Sequence, residues 1–168
     1  MPRKRGMSGT TAASLAALVG FGALGLGQMF GPQVAEPARD ESGAATAAAV
    51  VDVFMIDVGD CLDASVLTAE VSSVPLVPCS HPHDSEVYAI TELVGDYHPG
   101  DAVVAATADT FCSDQFEEFV GLPTAGSVLS YLALQPSEQS WISRDDRLVQ
   151  CLVTSTEPVT GTMAGIAR

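Results

Sequence analysis

The side chains best suited to chemistry lie close together in Cys79-Ser80-His81-Pro82-His83-Asp84-Ser85-Glu86, which holds two of the three histidines with two nearby carboxylates. His81 and His83 stand two apart on a Pro-containing loop where both can turn outward, and Asp84 or Glu86 can add an oxygen ligand, so a metal or small-ligand sensor loop is one reading. A strong metal site needs three or four ligands held by a second layer of hydrogen bonds, and nothing in the sequence brings His98 to this loop. The balance favours a structural loop, with no metal and no cofactor expected. A hydrolase built on these histidines lacks a Gly-x-Ser-x-Gly elbow, so catalysis is not expected either. The paired acids have simpler readings: Glu117-Glu118 are neighbours on a helix and form a solvated face, and Asp145-Asp146 suit a turn. No spaced Asp-x-Asp-x-Asp-Gly run is present to hold calcium.

The four cysteines, Cys61, Cys79, Cys112 and Cys151, are separated by 18, 33 and 39 residues, with no C-x-x-C pair, which disfavours a zinc site. An even number in an oxidising compartment points to two disulfides. Three pairings are open. Cys61–Cys79 with Cys112–Cys151 is preferred, because the first joins neighbouring strands and the second ties a helix to the sheet; each contributes roughly 3–4 kcal/mol by loop closure.

These residues are carried by elements with clear periodicity. Residues 50–58 form an apolar, β-branched strand ending at the turn Gly59-Asp60. Residues 72–79 and 86–94 are strand-like, with Val87, Ala89, Thr91 and Leu93 alternating against Tyr88, Ile90, Glu92 and Val94. A helix is predicted over residues 101–120, with Asp101 as N-cap and Gly121 as a left-handed C-cap. Its apolar stripe is Val104, Ala108, Phe111, Cys112, Phe116, Phe119 and Val120. Two more strands, residues 128–134 and 148–154, flank a polar turn region, residues 136–146, that contains Trp141, expected as a core or rim anchor. The order gives an α+β fold: an antiparallel sheet with one main helix on a face, stabilised by disulfides.

The N-terminus sets the location. After Arg3-Lys4-Arg5 no charged residue occurs until Glu36, and residues 11–30 match a hydrocarbon core of roughly 30 Å, with the cations on the cytoplasmic side. The expected organisation is a basic cytoplasmic tail (1–10), a single transmembrane helix (11–30), a flexible linker (31–49) and one extracytoplasmic domain (50–168). The length of the apolar run and its poor cleavage sites favour an anchor over a cleaved signal. Beyond residue 35 there are four arginines and twenty-one acids, a formal charge of −17. That field repels nucleic acid and anionic lipid headgroups and favours a partner with a basic surface.

In order, Val58-Gly59-Asp60-Cys61, Val77-Pro78-Cys79, Pro82-His83-Asp84-Ser85-Glu86-Val87, Trp141 and Asp146-Arg147-Leu148-Val149-Gln150-Cys151 resemble the septum-formation family of actinobacterial envelope proteins, over about residues 52–165. The resemblance implies a membrane-tethered or lipid-anchored extracytoplasmic domain linked to the division septum, with an envelope or division protein as partner and no known enzymatic activity. This chain lacks the lipid-attachment cysteine of some relatives, so the helix itself is the expected anchor. The resemblance also implies scaffold roles: Gly59 for a turn with positive φ, Asp60 accepting backbone N–H groups, Cys61 fixed against Cys79, and His83-Asp84 ordering the following loop by local hydrogen bonds.

Overall fold

A computed structural model describes residues 34–67 and 71–166. The expected membrane span and cytoplasmic tail lie outside these residues. Among the described residues no helix is long and apolar enough to cross a membrane.

Six strands form one sheet: β1 (Ala49–Asp52), β2 (Cys61–Leu62), β3 (Ser73–Val77), β4 (His83–Glu92), β5 (Ser130–Leu134) and β6 (Leu148–Val159). Their order is β1-β3-β2-β4-β6-β5, and every neighbouring pair is antiparallel. The long helix α1 (Asp101–Val120) covers one face, as the apolar stripe requires: Val104, Ala108, Cys112, Phe116 and Val120 are buried, and Phe111 and Phe119 pack at the edge of the same core. Gly121 closes α1 at φ 88°, and its N–H bonds the Glu117 carbonyl at 2.9 Å. The N-terminus differs from expectation. Gly100 is the cap, without a side-chain bond, and Asp101 is the first helical residue, where its charge still faces the positive end of the helix dipole.

Strand β6 shows how the sheet separates two cores. Val149, Cys151 and Val153 face α1, whereas Leu152 joins Val51, Val53, Ile56, Leu62, Val74, Leu76 and Val87 on the other side. Gln150, on that second face, is buried and donates to the Val53 carbonyl at 2.8 Å, which satisfies its amide inside an apolar layer. In β4 the expected strict alternation fails. A register shift lies between Val87 and Ala89, so Tyr88 and Ala89 both join the helix-side core while Val87 joins the opposite one. The reason is Tyr88: its ring packs edge-on to Phe116 with centroids 6.2 Å apart, and its hydroxyl donates to the Cys112 carbonyl at 2.6 Å.

Three expectations are corrected at element level. The strand predicted over residues 50–58 stops at Asp52, whose carboxylate accepts the Phe54 N–H at 3.0 Å and starts a 3-10 turn, Val53–Met55. The polar turn over residues 136–146 contains a short helix, α2 (Glu138–Ser143), opened by a reciprocal Ser137–Ser140 capping box, and Trp141 on it is 3% exposed. The linker expected over residues 31–49 is bonded to the domain from Ala35 onward: Ala35 N–H meets the Val50 carbonyl at 2.8 Å, and Arg39 pairs with Ala45 across a tight turn. From Ala35 to Ala49 the proline, glycine and alanines serve a tightly turned segment bonded to the domain.

Both preferred bridges are present, Cys61–Cys79 and Cys112–Cys151. Among the described residues no cysteine is free. The second bridge fastens α1 to β6 across 39 residues. Replacing both Cys112 and Cys151 with alanine is expected to lower the free energy of unfolding by about 4 kcal/mol, read from the midpoint of urea unfolding under non-reducing conditions. Burial pushes the Tyr88 phenol well above its ordinary value, with the nearby Tyr131 and Asp109 adding to the rise. The folded state therefore favours the neutral phenol, and this contribution is complete below a pH of about 10, where a free tyrosine ionises, and is lost as pH rises further. Stability of the wild type is expected to fall more steeply above that pH than stability of Tyr88→Phe, measured by urea unfolding across an alkaline pH series.

Candidate functional site

The histidine-containing segment folds differently from an outward-facing loop. Of its two histidines only His81 is exposed; β4 begins at His83, which is 2% exposed. The His83 ring places Nδ1 at 2.8 Å from the His81 carbonyl, and since a carbonyl only accepts, Nδ1 carries a proton, which in the neutral ring leaves the lone pair on Nε2. Asp84 bonds locally, as expected, accepting from Ser85 Oγ at 2.8 Å, and it also reaches further: its oxygens accept the N–H groups of Ala64 (2.7 Å) and Ser65 (3.0 Å), opening the 3-10 turn Ala64–Val66. Glu86 is 3% exposed and accepts from Thr162 Oγ1 at 2.8 Å and from the Met163 N–H at 2.6 Å, tying the C-terminal segment to the sheet.

Of the four candidate loop residues, the fold groups the side chains of His83 and Glu86, while those of His81 and Asp84 do not join the group. The third member of their group is Cys61: one ligand atom from each of Cys61, His83 and Glu86 lies within 4.8 Å of the other two, all three residues being buried. Cys61 faces Glu86 directly across the β2–β4 ladder. No sequence spacing announces this pairing, because the two residues are related by register and lie far apart in the chain. His98 is elsewhere, edge-on to the Trp141 ring at 5.4 Å and 3.7 Å from the Asp101 carboxylate.

A second buried polar centre is one that sequence reasoning missed on one side. Asp60 is 3% exposed and receives both Arg39 nitrogens, Nη1 to Oδ1 and Nη2 to Oδ2, each at 2.7 Å. Asp60 Oδ2 also accepts the Asp57 N–H at 2.8 Å, the backbone role the family resemblance implies, and Gly59 turns at φ 93°. The same Arg39 donates to the Met55 and Gly43 carbonyls, so it knits the N-terminal segment, the 3-10 turn and the Gly59-Asp60 turn into one cluster. Its pKa is raised, first by the hydrogen bond to Asp60 and then by the charges of Asp60 and Asp57, against the opposing effect of burial. One signal was available: with so few cations beyond residue 35, any buried acid had few possible partners.

At the third centre the Arg147 guanidinium lies 3.8 Å over the Trp141 ring and donates to the carbonyls of Trp141, Asp146 and Gly95. Asp146 accepts from Ser140 Oγ at 2.8 Å and from the Leu148 N–H at 3.0 Å, while Asp145 beside it adopts φ 53°. Asp60, Asp84, Glu86 and Asp146 thus all spend their oxygens on backbone N–H groups, with Arg39, Ser and Thr hydroxyls as the side-chain donors. The solvent side carries the opposite arrangement: Asp109, Asp114, Glu117 and Glu118 of α1 are exposed and the helix has no basic residue. Across the sheet from α1, a groove of about 780 Å³ is lined by Phe54, Leu132, Leu134 and Arg144, among others.

Removing Arg39 leaves a carboxylate buried without its cation, so Arg39→Ala is expected to cost roughly 3 kcal/mol in urea unfolding. Arg39→Lys should recover only part of this, because an ammonium cannot hold both Asp60 oxygens at once. A cost below about 1 kcal/mol, the worth of an exposed ion pair, would contradict this assignment.

A family model described as septum formation matches residues 58–166, well over half of the chain and starting at the first residue of the Val58-Gly59-Asp60-Cys61 motif. No curated protein and no solved structure matches it. Every motif that carries the resemblance falls within the matched span, and the two bridges and three polar centres are built largely from those motifs. The chain belongs to the septum formation family.

Proposed function

We propose that this protein is a non-catalytic interaction module of the cell envelope that acts in formation of the division septum, with its N-terminal apolar segment as a membrane anchor and its acidic domain outside the cytoplasm. The observation that carries this reading is the direction in which the motif carboxylates face. Within the family-matched span, Asp60, Asp84, Glu86 and Asp146 are taken up by backbone N–H groups, so the motif side chains build the shape of the domain and its outer surface is what remains to meet a partner. That outer surface is anionic along α1 and suits a partner with a basic face. Two disulfides suit an oxidising compartment outside the membrane. The family match supplies the septal part of the proposal.

A fusion of the full chain to a fluorescent protein that matures outside the cytoplasm tests the reading directly. Midcell enrichment in dividing cells is expected, and it should weaken when Asp109, Asp114, Glu117 and Glu118 are changed together to the corresponding amides without loss of the folded domain. Uniform peripheral fluorescence in dividing cells would overturn the septal role, and unchanged enrichment in the amide variant would overturn the acidic surface as its basis.

A further inference from the structure

We propose that Cys61, His83 and Glu86 form a zinc site that becomes available when the Cys61–Cys79 bridge is reduced. This inference stands apart from the septal role. Three observations carry it. First, the three side chains place one ligand atom each within 4.8 Å of one another in a buried setting. Thiolate, imidazole and carboxylate are the three ligand types zinc takes in protein sites, and three of them leave a fourth tetrahedral position open.

Second, His83 Nε2 is buried and has no hydrogen-bond partner among the described residues, which is an unrelieved cost for a polar atom. With Nδ1–H committed to the His81 carbonyl, Nε2 holds the lone pair that a metal requires. Third, the outer layer of bonds that a metal site needs is already in place. The ring is fixed through its other nitrogen by a backbone carbonyl, and each Glu86 oxygen is held by one donor, Thr162 Oγ1 or the Met163 N–H, keeping a further lone pair.

The bridge blocks the site, because a disulfide sulfur lacks the charge of the thiolate that binds zinc. It is also approachable from one side only: Cys61 is fully buried, whereas Cys79 is half-buried. A dithiol reductant therefore attacks Cys79 Sγ, forming a mixed disulfide and expelling Cys61 as a thiolate. The second thiol of the reductant then attacks its own sulfur in the mixed disulfide and releases Cys79, which takes up one proton. Two electrons pass from the dithiol to the bridge, the reductant leaves as a disulfide, the second proton goes to solvent, and the Cys61 thiolate binds zinc in place of a proton. Coordination then holds β2 against β4 after the covalent tie from β2 to the turn between β3 and β4 is lost.

The test uses the full chain in detergent micelles, with Co(II) as a spectroscopic probe and Zn(II) as competitor. Cys79→Ala frees Cys61 without any reductant and leaves Cys112–Cys151 intact. It is expected to bind one equivalent of Co(II) with a thiolate-to-cobalt charge-transfer band that Zn(II) abolishes, while the oxidised wild type shows no such band. Adding His83→Ala or Glu86→Gln to Cys79→Ala should weaken Co(II) binding by more than about a hundred-fold. Should Cys79→Ala fail to fold by circular dichroism, wild type reduced with a water-soluble phosphine provides the same readout, again compared with His83→Ala. Absence of the band in the folded, reduced protein, or a band unchanged by His83→Ala, would overturn the site.

Discussion

Everything in this domain is hung on β4. It is the strand at which the two halves of the sheet meet, β1-β3-β2 on one flank and β6-β5 on the other, and its side chains enter both cores. Each flank is then locked by one bridge. Cys61 sits on β2 opposite Glu86, and Cys151 sits on β6 opposite Ala89, so both covalent ties are anchored on the strands that pair directly with β4. A domain of this size gains a modest stability from burial alone, and two loop closures of 18 and 39 residues make up a large part of what remains. The bulge at Tyr88 fits the same logic, since it lets one strand turn two consecutive side chains toward α1 without surrendering Val87 to that face.

The second constraint is charge. A region with four arginines and twenty-one acids has few cations to set against its carboxylates, and the fold turns most of those in its motifs toward backbone amides. Asp84 opens a 3-10 turn, Glu86 holds the C-terminal segment, Asp146 holds the start of β6, and Asp60 alone takes a guanidinium on both oxygens. The scarce cations go to the interior or to aromatic rings: Arg39 to Asp60, Arg147 over Trp141 and Arg144 over Phe54. What is left at the surface of α1 is anionic. A proposed partner with a basic face follows from this partition of charge.

Much of this was legible in the chain itself. The α1 stripe, the Gly121 cap and the α+β order rest on periodicities of seven or more residues or on short-range turn chemistry, which sequence carries directly, and the preferred cysteine pairing rests on the elements so placed. The failures share a cause. Strand β2 is two residues long and α2 six, too short for any period to show. The Arg39–Asp60 pair spans 21 residues and joins a segment whose composition resembles a tether. A Pro-containing sequence predicts a loop at His83, yet β4 starts there, and burial of its ring follows from pairing with Val159 at the far end of β6. The grouping of Cys61, His83 and Glu86 depends on strand register, which a single sequence does not state.

Peptide mapping of the protein taken from intact cells, alkylated before lysis and digested without reductant, bears most directly on the claim that two bridges lock the flanks of β4 in a domain outside the reducing interior. The account requires Cys61 joined to Cys79 and Cys112 joined to Cys151 in the bulk of the population. Four alkylated thiols, or Cys61 joined to Cys151, would contradict it.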